Sequence, residues 1–177
     1  MFSRQSRTFE LKAIHLKNVI NEAVELIRDS SPKNISISID LDENCESVMA
    51  DESQIYQVII NLCKNGIQAM TEPGGKLSVS LTSEKCDQKF RKVYPDFKGE
   101  KYALIQIKDC GVGMSDKVKA RVFEPFFTTR VVGEGTGLGL SVVHGIVKNH
   151  DGRIKVESKA GKGTLFSVFL PINKKNV

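Results

Sequence analysis

Apolar residues change their spacing along this chain from a helical period to a strand period and back, and that alternation leaves few architectures open. From Ile14 to Ile27 they fall at 16, 19, 20, 23, 24, 26 and 27, the pattern of an amphipathic helix. Pro32 closes that stretch. From Asn34 to Leu41 every second residue is apolar (Ile35, Ile37, Ile39, Leu41), as in a half-buried strand. Ser47 to Ala50 can add a short strand. Asp51 or Ser53 can cap a second helix reaching about Met70, with Ile55, Val58, Ile59, Leu62, Cys63, Ile67 and Met70 on one face. Glu72-Pro73-Gly74-Gly75 stops it. Leu77, Val79 and Leu81 alternate again, and so does Tyr102 to Ile107, ending at Asp109. Residues 84–100 read as a long polar connection, and a short helix is expected near 116–122. Leu138, Val142 and Ile146 mark a third long helix to Asn149, with Gly152 placed to end it. Arg153–Ser158 and Thr164–Leu170 form a closing hairpin. The expected fold is α+β, one sheet of about five strands covered on one side by three helices.

Composition narrows the function classes. The 177 residues are 40% apolar and 27% charged, ordinary for a folded domain. The 26 basic against 21 acidic residues leave a net charge of +5, and the basic residues are scattered. A nucleic-acid partner is not expected, because such proteins concentrate basic residues on one face; a phosphate ligand needs only a few. Cysteines 45, 63, 86 and 110 form no C-x-x-C pair and have no histidine at metal-ligand spacing, so four reduced thiols in a cytoplasmic protein are expected. No apolar run approaches the ~20 residues of a membrane span, and no direct membrane contact is expected. MFSRQSRTFELK lacks the apolar region of a secretory signal, so the sequon Asn34-Ile35-Ser36 is read as chance.

Several familiar sites are missing. There is no P-loop, since Gly161-Lys162 is followed by Gly163, and no G-x-G-x-x-G, because glycines 133, 135, 137 and 139 fall every second residue. No nucleophile elbow and no H-E-x-x-H occurs. His15, His144 and His150 stand in helical or helix-end contexts and read as structural.

Four features carry chemistry. Asn61 and Asn65, four apart on the second helix, project to one side beside Lys64 and Gln68. An amide oxygen is a hard neutral ligand suited to Mg²⁺, and a lysine supplies charge for phosphate. Asp109-Cys110-Gly111-Val112-Gly113 ends a strand with a turn that lets a flat ligand approach, and its Asp can accept from an exocyclic amine. Gly133 to Leu140 is glycine-rich and runs straight into a helix, so its N–H groups can face an anion. Gly161-Lys162-Gly163-Thr164 is a hairpin turn whose threonine hydroxyl could face a ligand.

In this order the features resemble the boxes of the histidine-kinase ATP-binding domain, within the superfamily (the Bergerat fold) that also holds DNA gyrase B, the Hsp90 chaperones and MutL. The N box is Asn61-Leu62-Cys63-Lys64-Asn65-Gly66-Ile67-Gln68-Ala69 and the G1 box Asp109-Cys110-Gly111-Val112-Gly113. The F box is Val122-Phe123-Glu124-Pro125-Phe126-Phe127-Thr128-Thr129, the G2 box Gly135-Thr136-Gly137-Leu138-Gly139-Leu140, and the G3 turn Gly163-Thr164.

The resemblance implies a two-layer α/β sandwich with a mixed sheet over residues 10–172, binding ATP and Mg²⁺. Residues 1–9 would end a preceding dimerisation helix, where Phe2-Ser3-Arg4 matches, and 173–177 would be a tail. It implies Asn65 as the Mg²⁺ ligand, with Asn61 and Lys64 beside it in the catalytic group, and Asp109 as the adenine reader. Gly111, Gly113, Thr164 and Gln68 would assist in cofactor binding, backbone amides of Gly135, Gly137 and Gly139 would hold the phosphates, and Thr136, Leu138 and Leu140 would join them in the cofactor site. A lid over about 128–136 would carry Thr128, Thr129 and a loosely matched Arg130, ordering when nucleotide binds.

Hydrolysing branches of the superfamily carry a glutamate base where this chain has Asn61, and an amide cannot activate water. A kinase is therefore favoured over an ATPase. No histidine here matches the family's acceptor, so phosphate would pass to a histidine on a dimerisation domain outside this chain, normally in the same polypeptide, and then to a response regulator receiver. The fragment itself would be a monomer. A stand-alone Ser/Thr kinase of the anti-sigma type, a hydrolysing ATPase module and a degenerate nucleotide-binding module are the other readings.

Overall fold

The computed structural model describes residues 10–70, 72, 74–129 and 136–172. The expected terminal segments, Arg130, Gly135 and most of the expected lid lie outside these residues. In chain order the elements are β1 (Lys12–Ile14), α1 (Leu16–Ser30), β2 (Ile35–Leu41), β3 (Val48–Ala50), α2 (Glu52–Gln68) and β4 (Gly75–Lys85). They continue with α3 (Gln88–Val93), β5 (Lys101–Asp109), α4 (Asp116–Arg121), α5 (Gly139–Asn149), β6 (Arg153–Ser158) and β7 (Thr164–Pro171).

The main sheet has the expected five strands, ordered β2-β4-β5-β7-β6. It is mixed, because β2 runs parallel to β4 while every other pair is antiparallel. Helices α1, α2 and α5 supply the apolar faces that cover one side. On α1 these are Leu16, Val19, Ile20, Ala23, Val24 and Ile27, while Leu26, from the same apolar set, is exposed. The Asp51 side chain caps α2 by accepting from the Gln54 N–H at 3.1 Å, which satisfies one of the donors left over at a helix start.

Four local expectations need correction. Helix α1 begins at Leu16, and the residues before it form β1, which pairs antiparallel with β3 through Ile14 and Val48. A three-residue strand is too short to carry a period; it exists because β3 offers it a ladder. On α5 the buried stripe is Val143, Ile146 and Val147, so Leu138 and Val142 stand toward a more open side. Gly152 does not supply the left-handed residue that ends α5. Asp151 does, with φ +54°; Gly152 donates to Val147 C=O at 2.9 Å, and a Cβ on it would stand 2.6 Å from the Phe169 carbonyl oxygen.

The fourth is the connection 84–100, which is not structureless. Asp87 caps α3 by accepting from Phe90 N–H at 2.8 Å. Phe90, Tyr94 and Phe97 then close over Tyr102, Leu104 and Phe169 in a second apolar cluster. Ala103, Ile105 and Ile107 of β5 belong to the main core, and Tyr102 and Leu104 have the opposite parity, so this cluster covers part of the other face of the sheet.

Candidate functional site

Asp109 ends β5 directly opposite Thr164, which starts β7. The pairing brings two distant turns together and buries both side chains, Asp109 to 4% exposure. Its Oδ1 accepts from Gly111 N–H at 2.8 Å and from Thr164 N–H at 3.2 Å. Among the described residues Oδ2 has no hydrogen-bond partner. Burial pushes the carboxyl pKa up, against the pull of those two backbone donors.

Helix α2 passes directly over this carboxylate because of Gly66. A Cβ there would stand 2.7 Å from Leu77 Cδ1 and 3.3 Å from Asp109 Cβ, so a side chain would have to displace the buried Leu77 tip and crowd Asp109. The helix therefore delivers Asn61, Lys64, Asn65 and Gln68 beside Asp109. After β5 the chain turns through Gly113, whose φ is +63° and whose missing Cβ would fall 2.1 Å from the Lys159 carbonyl oxygen. Val112 N–H donates to the Ala69 carbonyl at 3.1 Å and ties this turn to the end of α2.

Between these parts lies a cavity of about 660 Å³, within the range of small-molecule sites. Of the residues expected at a site, Asn61, Lys64, Asn65, Gln68, Asp109, Gly113, Thr128, Thr129, Thr136, Gly137, Gly139, Leu140 and Thr164 line it. Gly111 and Leu138 stand next to it without lining it. Asn61 Nδ2 donates to the Gly139 carbonyl at 3.4 Å, linking α2 to the start of α5. Lys64 is the cation among the described lining residues.

The sequence reading missed the apolar wall formed by Ala69, Val112, Met114, Val118, Val122, Phe127 and Phe166. Two signals could have found part of it. Phe166 lies two residues after Thr164 on the same face of β7, and Val118 and Val122 are four apart along α4 and its cap. Arg121 sits over the Phe127 ring at 4.5 Å and bonds Glu124 at 2.8 Å, which steadies the F-box turn. Phe123, behind it, stacks on His144 with ring centres 5.3 Å apart.

A larger open depression of about 940 Å³ lies between α1, β1 and α2. It is lined by Glu10, Glu22, Asp51 and Glu52 against Lys12, a balance that opposes an anionic ligand.

Comparison with known proteins agrees with this geometry. Residues 50–174 match the family described as histidine kinase-, DNA gyrase B- and HSP90-like ATPase. The chain is 37% identical over 170 residues to the sensor kinase CckA of Brucella abortus, covering 96% of this chain and 18% of that protein. It is 33% identical over 164 residues to the sensor histidine kinase ZraS of Escherichia coli, covering 92% of this chain and 31% of ZraS. This chain thus spans less than a third of either relative. Among solved structures, the catalytic domain of histidine kinase ThkA superposes with a TM-score of 0.71 at 30% identity, covering 92% of this chain and 97% of that one.

Proposed function

The chain belongs to the histidine kinase-, DNA gyrase B- and HSP90-like ATPase family, and from that membership we propose that it is the catalytic domain of a sensor kinase, transferring the γ-phosphoryl group of ATP to a histidine on a separate dimerisation domain. The observation that carries the reading is the buried Asp109, which lines one cavity together with Asn65 and whose Oδ2 has no hydrogen-bond partner among the described residues.

Oδ2 can only accept, so it favours a base edge carrying an amino group, as adenine does. The apolar wall around Met114 and Phe166 suits the faces of a flat ring. Thr136, Gly137 and Gly139 open α5, where backbone N–H groups suit an anion. Asn65 fits Mg²⁺ by the chemistry of its amide oxygen, because this ion keeps several waters and takes few protein ligands beside phosphate. When bound, Mg²⁺-ATP supplies the transferable group; the protein holds it and excludes water. Positioning and charge neutralisation carry most of the acceleration in such transfers.

Asn61 supports a kinase over a hydrolysing module. Its amide cannot act as a base, and its N–H is directed to the Gly139 carbonyl. None of the histidines lines the cavity. His15 stands just before α1 without a side-chain capping bond, His144 rests on Phe123, and His150 is buried, accepting from Asp51 N–H at 3.0 Å. The acceptor is then a histidine of a dimerisation domain, normally in the same polypeptide, with a response regulator receiver as the next carrier. Among the described residues no helix is long and apolar enough to cross a membrane; a cytoplasmic site of action follows from the ATP requirement. Neither nucleic acid nor a membrane surface is a partner in this reading, and the chain alone is a monomer.

Incubation with γ-labelled ATP tests it. The chain alone should stay unlabelled and release phosphate slowly, while a dimerisation domain added in trans should acquire acid-labile label. Label retained on this chain, or acid-stable label on the partner, would overturn the histidine-kinase reading.

A further inference from the structure

Ser158, the last residue of β6, belongs to none of the boxes, yet its hydroxyl meets three groups of the site. Ser158 Oγ accepts from the Met114 N–H at 2.8 Å, lies 2.9 Å from the Gly163 carbonyl oxygen, and lies 2.9 Å from Thr164 Oγ1. A hydroxyl has one proton and two lone pairs. The Gly163 carbonyl can only accept, so the Ser158 proton goes there. Met114 N–H takes one lone pair. The other faces Thr164, whose hydroxyl must therefore donate to Ser158. That spends the single proton of Thr164 and leaves its oxygen with lone pairs only toward the cavity that Thr164 lines. Beside it, Asp109 Oδ1 is occupied by Thr164 N–H and Gly111 N–H, and Oδ2 is a further acceptor.

We propose that Ser158 is a positioning residue that directs the Thr164 hydroxyl proton away from the cavity, so that Thr164 and Asp109 present only acceptors to the bound base. The proposal rests on the adenine-nucleotide reading of the same cavity and assigns its base selectivity to a second group besides Asp109. A ligand with an amino group at this edge meets acceptors on both residues. A ligand with a carbonyl oxygen there meets lone pairs on both.

Calorimetric titration with ADP and inosine diphosphate, which carries a carbonyl in place of the amino group, tests this. The native chain should favour ADP. Ser158→Ala frees the Thr164 proton to turn toward the ligand, so the ADP-to-inosine-diphosphate affinity ratio should fall about three- to tenfold, the worth of one neutral hydrogen bond. Ser158→Thr keeps the hydroxyl and should keep the ratio. In a Thr164→Val background Ser158→Ala should leave the ratio unchanged, because the effect passes through Thr164. Should Ser158→Ala show no thermal transition, the nearly isosteric Ser158→Cys, a weak donor and acceptor, carries the same test. Equal weakening of both nucleotides at an unchanged ratio would make Ser158 a structural residue and overturn the proposal. So would a ratio shift that persists in the Thr164→Val background. Failure of the native chain to bind ADP at all would instead overturn the nucleotide reading.

Discussion

Asn61 donates its side-chain N–H to the backbone carbonyl of Gly139 at 3.4 Å, across the cavity from α2 to the first residue of α5. An amide can make this bond and a carboxylate cannot. Asn61→Asp would set a negative charge against a carbonyl oxygen and, in the proposed nucleotide site, beside the phosphates. Asn61→Ala would lose only one long hydrogen bond, worth about 1 kcal/mol or less. The aspartate variant should therefore bind ATP about tenfold or more weakly than the native chain, and more weakly than the alanine variant. Calorimetry checks the order; an aspartate variant that binds as well as the native chain would mean that residue 61 does not face the phosphates.

Phe97 is 2% exposed and meets Phe90, Tyr102 and Phe169 edge-on at ring-centre distances of 5.2, 5.0 and 4.8 Å. Removing a ring from such a cluster costs about 3–5 kcal/mol. Phe97→Ala should lower the urea midpoint accordingly. Its ADP affinity under native conditions should be unchanged, because the cluster covers the sheet face away from α2 and the cavity. A loss of affinity in fully folded protein would show the two faces to be coupled.

The residues that were legible in the sequence are those that repeat or those that sit in a strict local pattern. The buried face of α2 and the Asp51 cap follow from spacing and capping chemistry. The convergence of Asp109, Asn65 and Thr164 is legible only through their boxes, since nothing local says that residues 109 and 164 pair across β5 and β7. Where the pattern is short or its partner distant, local spacing does not decide the structure. β1 has only three residues and owes its form to β3. α3 has six, and its aromatic residues find their partners at Tyr102 and Phe169. On α5 the apolar residues are dense enough to allow two stripes, and only packing against α2 and β6 selects Val143 and Val147 over Leu138 and Val142. The apolar cavity wall lacks the polar residues by which sites are recognised, and Ser158 matters only through a hydroxyl three contacts deep.

The four thiols should separate by burial. Burial pushes Cys63 up to about 12, and raises Cys45 and Cys86 as well. Cys110 is exposed, with its Sγ 3.2 Å from the Lys76 N–H and 3.6 Å from Met70 Sδ. The thiolate is the reactive form, so a maleimide near pH 8 should modify Cys110 first and Cys63 only after unfolding. Mass spectrometry of digests taken over time gives the order. Early modification of Cys63 in folded protein would contradict its place in the core.

Asp109 should set stability and binding against each other. Burial raises its pKa in the folded chain above the ordinary 3.8, with the Gly111 and Thr164 donors only partly offsetting this. A raised carboxyl pKa means that the folded state holds its proton more tightly than the unfolded state does. Between the two values the folded chain binds more protons, so this group's contribution to stability falls as pH rises and is unfavourable at neutral pH. Asp109→Asn removes that cost while its Oδ1 can still accept from both backbone donors. The ligand-free variant should therefore melt higher than the native chain near neutral pH, and the difference should shrink as pH falls toward the carboxylate range. Nucleotide binding should move the other way. The new amide would turn an N–H toward the base where the native residue offers an acceptor, and loss of a charged hydrogen bond costs roughly 1.5–3 kcal/mol, about ten- to hundredfold in ADP affinity. The native chain should likewise lose ADP affinity on acidification, as Asp109 takes up its proton. Thermal melts and calorimetry on the same two proteins across this pH range decide it. A variant that melts lower would overturn the cost assigned to the buried carboxylate, and one that keeps native ADP affinity would remove Asp109 from the role of base reader.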